Sequence, residues 1–274
     1  MKKLIFHLYC DKEWETNEAL KLHFSCLNYY SYIFDEILVV LSLDNEEYNT
    51  DFTSKLRCKI TDVIRHPFLT IKIVKNTPYR EVKTFYDEIV NKEYDGLIFF
   101  AHNKGYTNVK QSYYKKEYIF SWIVGMYWLS LTNIKEMEEE LLINDKFFYG
   151  SFKVGEKNVP FNIHNLYAGT FFWINITNIK LNYLYLHEQN GIPKMGTKMS
   201  AENFPGLVCL KFYNKHNIDK SSSYRNWKWY FSAIDFYGTE ENGFSPKDAI
   251  QYAFPDQASD FNAFYDKMAA TIAF

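Results

Sequence analysis

The polar loop at residues 101–105 (AHNKG) directly follows the apolar run at residues 96–100 (GLIFF). A lysine at such a position can contact a diphosphate as a point charge, and a glycine lets the backbone approach a ligand closely. Two unit charges about 4 Å apart near a protein surface interact by roughly 4 kcal/mol. Lys104, helped by a hydrogen bond from His102, could therefore stabilise a departing diphosphate. An ordinary polar turn after a strand is the alternative.

Two later stretches offer candidates for sugar binding and for a catalytic base. Residues 167–173 (YAGTFFW) join small residues to aromatic ones, which suits a platform for a sugar ring, with a buried strand as the alternative. Glu202 opens an apparent short helix and could act as a base, although most single glutamates are merely solvated. The sequence contains no HExxH, GxSxG or paired-cysteine motif that would indicate a competing chemistry.

An alternation of apolar runs and helical patterns predicts the elements that position these residues. Strands are predicted at residues 3–10, 36–43, 70–74 and 96–100, helices at 13–32 and 81–92, and a loop at 45–54. This order predicts an α/β fold with an open, mostly parallel sheet and helices on its faces. Ligands of such sheets bind beyond the carboxyl ends of the strands. Those ends, residues 9–11, 44–45, 76–80 and 101–105, are the most polar points of the first hundred residues.

The second half of the chain is less regular. Helices are predicted at residues 117–133, 135–142, 246–254 and 256–273, a strand or strand-turn at 166–176, a short mixed segment at 201–210, and a strand at 226–235. The longest apolar run, residues 118–131, is too short to span a membrane and predicts a buried helix.

Composition excludes several classes of protein. The chain has 274 residues, of which 47% are hydrophobic, so it can fill the core of one large α/β domain, or of a smaller domain with an appendage. The net charge of −2 leaves no basic excess for a nucleic-acid partner. Four scattered cysteines and the absence of a signal-peptide pattern predict a cytoplasmic location, with contact at the inner face of the membrane as a weaker alternative. Most of the abundant aromatic residues are expected to fill the core.

Four blocks of sequence, taken in order, resemble a known family. They read YDGLIFFAHNKGYTN, SWIVGMYW, HNLYAGTFFWINITNIKLN and SAENFPGL. Together they resemble bacterial glycosyltransferases with a GT-A-like fold, in which a strand ends in His-x-Lys-Gly and a block of small and aromatic residues precedes a Glu at a short helix. The resemblance covers about residues 2–210. It implies a catalytic domain at 1–210 and a C-terminal extension at 211–274 that packs on it.

The resemblance implies a nucleotide-sugar donor, with a UDP-sugar expected first, and a glycan or lipid-linked acceptor in the synthesis of a surface polysaccharide such as a capsule. The implied donor-binding residues are Tyr9, Cys10, Asp11, Asn76, Arg80, Asn103 and Gly105. The implied sugar- or acceptor-binding residues are Tyr167, Gly169, Thr170 and Trp173. His102 and Lys104 would hold the diphosphate, and Glu202 would act as general base in an inverting displacement.

The chain departs from the GT-A pattern in two places. Such enzymes hold a divalent ion with a DxD motif after the fourth strand, but residues 102–104 (HNK) stand there. A requirement for Mg²⁺ or Mn²⁺ is therefore unsupported, and a lysine could replace part of the charge of the ion. The Arg expected shortly before the Glu is also absent, with Lys194 and Lys198 the nearest cations.

These departures motivate two alternatives. The first is a carbohydrate- or nucleotide-binding protein that has a transferase-like fold and no turnover. The second is a nucleotidyltransferase, which would need carboxylates for Mg²⁺ at the same strand ends; Asp11 and Asp44 are the candidates.

Overall fold

A computed structural model of the chain describes residues 1–44, 50–78, 80–90, 92, 94–103, 105–107, 116–143, 146–150, 153–154, 166–167, 170–178, 227–229 and 246–272. The strands are β1 (Lys2–Cys10), β2 (Glu36–Leu43), β3 (Leu69–Lys75), β4 (Leu97–His102), β5 (Phe148–Gly150), β6 (Lys153–Val154), β7 (Leu166–Tyr167), β8 (Phe172–Asn175) and β9 (Trp227–Trp229). The helices are α1 (Glu18–Tyr30), α2 (Thr50–Val63), α3 (Glu81–Phe85), α4 (Lys116–Leu131), α5 (Ile134–Glu138), α6 (Pro246–Ala253) and α7 (Ala258–Ala270). Turns of π-helix continue α3 through Tyr86–Val90 and α5 through Glu139–Ile143.

Seven strands form one sheet in the order β3-β2-β1-β4-β8-β5-β9. Strand β1 pairs in parallel with both β2 and β4, and β2 pairs in parallel with β3. Strand β8 runs antiparallel to β4 and β5, while β5 and β9 are parallel. Strands β6 and β7 form a separate antiparallel pair. The predicted fold class, an open and mostly parallel α/β sheet flanked by helices, is confirmed.

Alternation along the strands divides the core between the two faces of the sheet. Leu4, Phe6 and Leu8 of β1 belong to the larger cluster, which also holds buried residues of α1, α2, α4, α6 and α7. Ile5 belongs to the smaller cluster on the opposite face, together with Phe85 of α3. The helices therefore cover both faces, and α3 with its π-turn lies opposite the others.

The strand order reverses between β1 and β4. From β1 the chain moves outward through β2 to the edge strand β3, and it then returns to the other side of β1 to form β4. The connections through α1 and α2 lie on one face and the connection through α3 lies on the other. In open α/β sheets the crevice at the carboxyl ends of the strands at such a switch point is the usual ligand site.

One prediction of local structure is wrong. Helix α2 begins at Thr50, within the segment 45–54 that was expected to be a loop. A parallel β2–β3 pair needs a crossover connection, which α2 supplies. The helix is difficult to predict from its sequence because only two of its residues, Leu56 and Ile60, are buried. The segment 166–176, where a strand or strand-turn was expected, contains β7 and β8, which belong to different sheets.

The C-terminal helices share the main core. The ring of Phe261 in α7 lies 5.2 Å from that of Trp128 in α4, and Phe264 lies 5.3 Å from Tyr30 in α1. Residue 211, where the predicted C-terminal extension begins, lies outside the described residues, as does the segment 201–210. Helix α4 is buried along most of its length, as predicted. Within the described ranges, no helix is long and apolar enough to cross a membrane.

Candidate functional site

A cleft of ≈ 240 Å³ lies at the switch point, beyond the carboxyl ends of β1 and β4. Its lining comes from β1, from the β3–α3 connection, and from the end of β4 and the loop after it. The lining residues are His7, Tyr9, Asn76, Arg80, Glu81, His102, Asn103, Gly105, Tyr106 and Thr107. Predicted residues from three separate segments, Tyr9, Asn76, Arg80, His102, Asn103 and Gly105, are thus brought together by the fold.

The face of the sheet that carries α3 changes from apolar to polar towards its carboxyl end. On β1, Ile5 is followed on the same face by His7 and Tyr9, and on β4, Phe100 is followed by His102. His7 and His102 are register partners on adjacent parallel strands, so their side chains project to the same side. The two strand ends therefore place a pair of imidazoles at the base of the cleft.

His7 is held in its neutral form. Burial lowers its pKa to about 3, with Glu81 raising the pKa and the charges of His102 and Arg80 lowering it. Its Nδ1 lies 2.8 Å from Thr84 Oγ1 on α3. At neutral pH, His7 therefore supplies a hydrogen-bonding group and no positive charge.

Asn103 joins the ends of β1 and β4. Its Nδ2 donates to the carbonyl of Tyr9 (2.6 Å), its Oδ1 accepts from the N–H of Tyr9 (3.0 Å), and its own N–H donates to the carbonyl of His7 (3.2 Å). The side-chain amide thus continues the hydrogen-bond ladder between the two strands beyond the end of β4. Each end of this amide already has a protein partner, so Asn103 fixes the wall of the cleft.

Asp44, at the end of β2, holds two of the predicted nucleotide-binding residues together. Its carboxylate accepts from Tyr9 Oη (2.7 Å) and from Asn76 Nδ2 (2.8 Å). The Oδ1 of Asn76 accepts in turn from the N–H of Thr77 (3.0 Å) and from Ser42 Oγ (3.3 Å). The positions of Tyr9 and Asn76 are therefore fixed by hydrogen bonds across three strand ends.

Asp11 supports the cleft without lining it. Its Oδ1 accepts from Tyr106 Oη (2.7 Å), and its N–H donates to the same Oη (3.1 Å). Asn17, which caps α1, donates to the carbonyl of Tyr106 (2.9 Å). The ring of Tyr106 meets that of Tyr9 edge to face, with centroids 5.6 Å apart. Asp11 thus anchors a tyrosine that lines the cleft.

Gly105 is needed for contact with α4 as well as for the cleft. Its φ is 84°, and a Cβ at this position would lie 2.6 Å from Ile119 Cγ2. A close approach to a ligand is the expectation from sequence, whereas the close approach observed here is to α4. Replacement by any other residue meets both the left-handed backbone and this side chain.

Gly105→Ala should lower the free energy of unfolding by about 1–3 kcal/mol, because alanine is strained at this φ and its methyl group meets Ile119. Urea denaturation measures the change. In an Ile119→Ala background the same substitution should cost less, because only the backbone strain remains. Equal stability of Gly105→Ala and the wild-type protein would contradict this account.

Cys10 and Trp173 lie in the core. Both are 0% exposed, and burial raises the pKa of the Cys10 thiol well above its ordinary value. The indole N–H of Trp173 donates to the carbonyl of Ser130 (2.9 Å), and its ring stacks on that of Phe34 at 5.6 Å. Burial at zero exposure argues against contact of these two side chains with nucleotide or sugar, and their predicted roles stay predictions.

Thr170 lies near the cleft but does not line it. It directly precedes Phe171, whose ring centroid is 6.4 Å from that of His102. Its φ is 57°, it is fully buried, and its Oγ1 has no hydrogen-bond partner in the part of the chain that the structure describes. A β-branched residue at positive φ is strained. A role in sugar binding stays a prediction.

The remaining predicted residues lie outside the described part of the chain. Lys104, Gly169 and Glu202 are not among the described residues, and Tyr167 is described only as part of β7. Their roles stay predictions. The two sequence neighbours of Lys104, Asn103 and Gly105, both line the cleft.

Four lining residues were not predicted: His7, Glu81, Tyr106 and Thr107. His7 could have been predicted from the alternation of side chains along a strand, because it lies two residues before Tyr9 and therefore on the same face of β1. Glu81 follows Arg80 directly, at the start of α3. Among the described residues, no group of three or more His, Cys, Asp or Glu side chains is arranged to hold a metal ion.

Comparison with known proteins gives only distant likenesses. No family model and no curated protein matches the sequence. The structure is similar to 4-diphosphocytidyl-2C-methyl-D-erythritol synthase from Anaerococcus prevotii DSM 20548, with 8% identity, a TM-score of 0.38, and coverage of 83% of this chain and 88% of that one. It is also similar to 2-C-methyl-D-erythritol 4-phosphate cytidylyltransferase from Francisella tularensis, with 12% identity, a TM-score of 0.34, and coverage of 73% and 85%. At these identities and scores, the likenesses assign no activity to this chain.

Proposed function

We propose that this chain is a glycosyltransferase that moves a sugar from a nucleotide-diphosphate donor to a glycan or lipid-linked acceptor, in the synthesis of a surface polysaccharide. The observation that carries the proposal is the polar cleft at the β1–β4 switch point. Open α/β sheets bind nucleotides at this position. Tyr9, Asn76 and His102 come from different strand ends and line the same cleft.

In the proposed reaction, Tyr9 and Asn76 contact the nucleoside, and a UDP-sugar is the first donor to test. His102 and Lys104 bind the diphosphate. An acceptor hydroxyl attacks the anomeric carbon, and the carboxylate of Glu202 takes its proton. The bond between the anomeric carbon and the diphosphate oxygen breaks, and its electron pair leaves with the nucleoside diphosphate. Configuration is inverted because the attack comes from the opposite side.

Arg80 lines the cleft as an exposed cation that can face an anionic leaving group, beside acidic Glu81. His7 is neutral because of its lowered pKa and adds no charge. Lys104 would add a second positive charge at the loop after β4. Positive charge placed where negative charge develops stabilises the transition state. The transfer assay is run with and without a divalent metal, Mg²⁺ or Mn²⁺, and no residue is assigned to bind it.

Lys104→Ala should lower transfer from the best donor of a UDP-sugar panel about 100-fold, because the charge on the departing diphosphate loses its cation. Product formation is measured with and without Mn²⁺. Lys59→Ala, which removes an exposed cation from α2, is the control and should leave transfer unchanged. Unchanged transfer and donor hydrolysis in Lys104→Ala would refute the diphosphate role.

Glu202 is tested in the same assay through Glu202→Gln, which keeps the shape of the side chain and removes the base. Loss of transfer with retained donor binding supports the proposed role, and retained transfer excludes it.

A binding protein without turnover is the second candidate. Several polar side chains around the cleft, those of Asp11, Asp44 and Asn103, are already used to hold the protein itself. A thermal-shift screen of sugar nucleotides separates the two functions when it is combined with the transfer assay. Binding without transfer to any acceptor favours this candidate, whereas the absence of any nucleotide-dependent shift counts against both. Nucleoside triphosphates with a sugar phosphate, scored by release of pyrophosphate, test the nucleotidyltransferase alternative.

A further inference from the structure

The backbone of Arg80 is strained. Its φ is 47° and its ψ is −127°, a conformation that residues with a Cβ rarely adopt. Within the described ranges, Thr170 is the one other non-glycine residue with positive φ. Glycine takes such a conformation without strain, so a residue needed only for the turn would be glycine. Strain of this kind persists where the surrounding structure enforces it, and it is concentrated at ligand-binding and active sites.

Arg80 lines two neighbouring spaces. It lines the cleft, and it also lines a small cavity of ≈ 30 Å³ between β3 and α3. His7 lines both spaces as well. Lys75, the last residue of β3, lines the small cavity. The two cations therefore lie on one side of the cleft, close to the carboxyl end of the edge strand.

Most other charges in this region compensate one another. Lys72 and Lys92 both bind the buried carboxylate of Glu88. Burial opposes ionisation of Glu88, but its hydrogen bonds to the two lysines prevail and keep its pKa below the ordinary value. Lys83 pairs with Asp87 at 2.5 Å. The charges of these three lysines are therefore already compensated.

Arg80 and Lys75 belong to none of these pairs, although acidic Glu81 follows Arg80 in sequence and lines the cleft with it. Within the part of the chain that the structure describes, neither side chain has an ion pair or a hydrogen bond. Both are exposed. A guanidinium and an ammonium group that border one small cavity can together contact the oxygens of a phosphate or diphosphate group, the guanidinium through a two-pronged hydrogen bond.

We propose that Arg80 and Lys75 form an anion subsite at the β3 side of the cleft, which takes the diphosphate of the nucleotide donor, and that the strained backbone of Arg80 directs its guanidinium to that group. The inference rests on the proposed function and deepens it. It places the phosphates between the β3–α3 connection and the loop after β4.

The test measures binding and stability in the same variants. Isothermal titration with inorganic pyrophosphate, UDP and uridine is carried out on the wild-type protein and on Arg80→Gly, Arg80→Lys, Lys75→Ala and the control Arg57→Ala, which removes an exposed cation from α2. Arg80→Gly and Lys75→Ala should weaken pyrophosphate and UDP at least about tenfold and leave uridine unchanged. Arg80→Lys should bind with intermediate affinity, because it keeps the charge and loses the two-pronged contact.

Stability should move in the opposite direction to binding at position 80. Arg80→Gly relieves the backbone strain, so it should melt about 2–4 °C above the wild-type protein. Arg80→Lys should melt close to the wild-type temperature, because the strain remains.

The inference is overturned if Arg80→Gly binds pyrophosphate as tightly as the wild-type protein, or if it melts at a lower temperature, since Arg80 would then serve the fold alone. These outcomes are separate from the fate of the proposed function. If the wild-type protein transfers sugar and Arg80→Gly binds UDP normally, the proposed function stands and the proposed subsite is wrong. If the wild-type protein binds pyrophosphate through Arg80 and transfers no sugar, the proposed subsite stands and the proposed function is wrong.

Discussion

Trp173→Ala should lower the free energy of unfolding by about 3–5 kcal/mol, the range for removing a large aromatic side chain from a packed core. Trp173 is completely buried and lies against Phe34 and Phe99, with ring centroids 5.6 and 5.1 Å away. The substitution leaves a large cavity and removes the hydrogen bond to the carbonyl of Ser130. Urea denaturation measures the loss as a lower midpoint.

Two further variants make this prediction specific. Trp173→Phe should cost less than Trp173→Ala, because it keeps part of the packing and loses the hydrogen bond. Tyr32→Ala, at an aromatic residue that is 76% exposed, should change stability by no more than about 0.5 kcal/mol. A Trp173→Phe protein with wild-type stability and weakened sugar binding would instead restore the sugar-platform interpretation that burial argues against.

Acid should destabilise the fold through His7. The pKa of His7 is about 3 in the folded protein, below the ordinary value of 6.5, because burial disfavours the charged ring. Between these two pH values His7 is protonated in the unfolded chain and neutral in the folded chain, so the free energy of unfolding falls as the pH falls. Above pH 6.5 the neutral ring of His7 costs no stability. Below that pH, the free energy of unfolding falls by up to roughly 1.4 kcal/mol per pH unit, a loss of about 2 kcal/mol at pH 5.

His7→Asn isolates this effect. Asparagine keeps a polar group near Thr84 Oγ1 and does not titrate. Denaturation curves between pH 7 and 5 should show the wild-type protein losing about 2 kcal/mol more than the variant. Carboxylates such as Glu88, whose pKa is lowered, titrate below this range and do not contribute to the difference. Identical pH dependence of the two proteins would show that His7 is not the group responsible.

The candidate site was partly predictable because polar residues at strand ends are visible in sequence. Tyr9, Asn76 and His102 each follow or end an apolar run, and parallel strands bring their carboxyl ends to one edge. Lys104 and Glu202 were candidates from residue type and position, the resemblance to glycosyltransferases supported their roles, and those roles stay predictions. Sequence could not show which polar residues face the cleft and which only hold another residue in place. Asp11 is of the second kind, because it holds Tyr106.

Errors in the predictions have a common physical cause. A hydrophobic residue on a strand shows which face it occupies, but not whether a helix covers that face. The sequence of this block was therefore compatible with a sugar platform as well as with a buried strand, and the contacts of Trp173 with β4 and α4 place it in the core. The polar helix α2 was missed because its buried stripe consists of two residues, and its existence follows from the parallel pairing of β2 and β3.

Local sequence determined the apolar strands β1, β2 and β4, the α/β class, and the polar character of the strand ends, since these depend on residue type and short-range periodicity. Tertiary structure alone decided the strand order, the antiparallel insertion of β8 beside β4, and the convergence on one cleft of His7, Arg80 and the loop after β4. The reason is that pairing and packing join residues far apart in the chain, so neither the neutral state of His7 nor the strained backbone of Arg80 has a local signature.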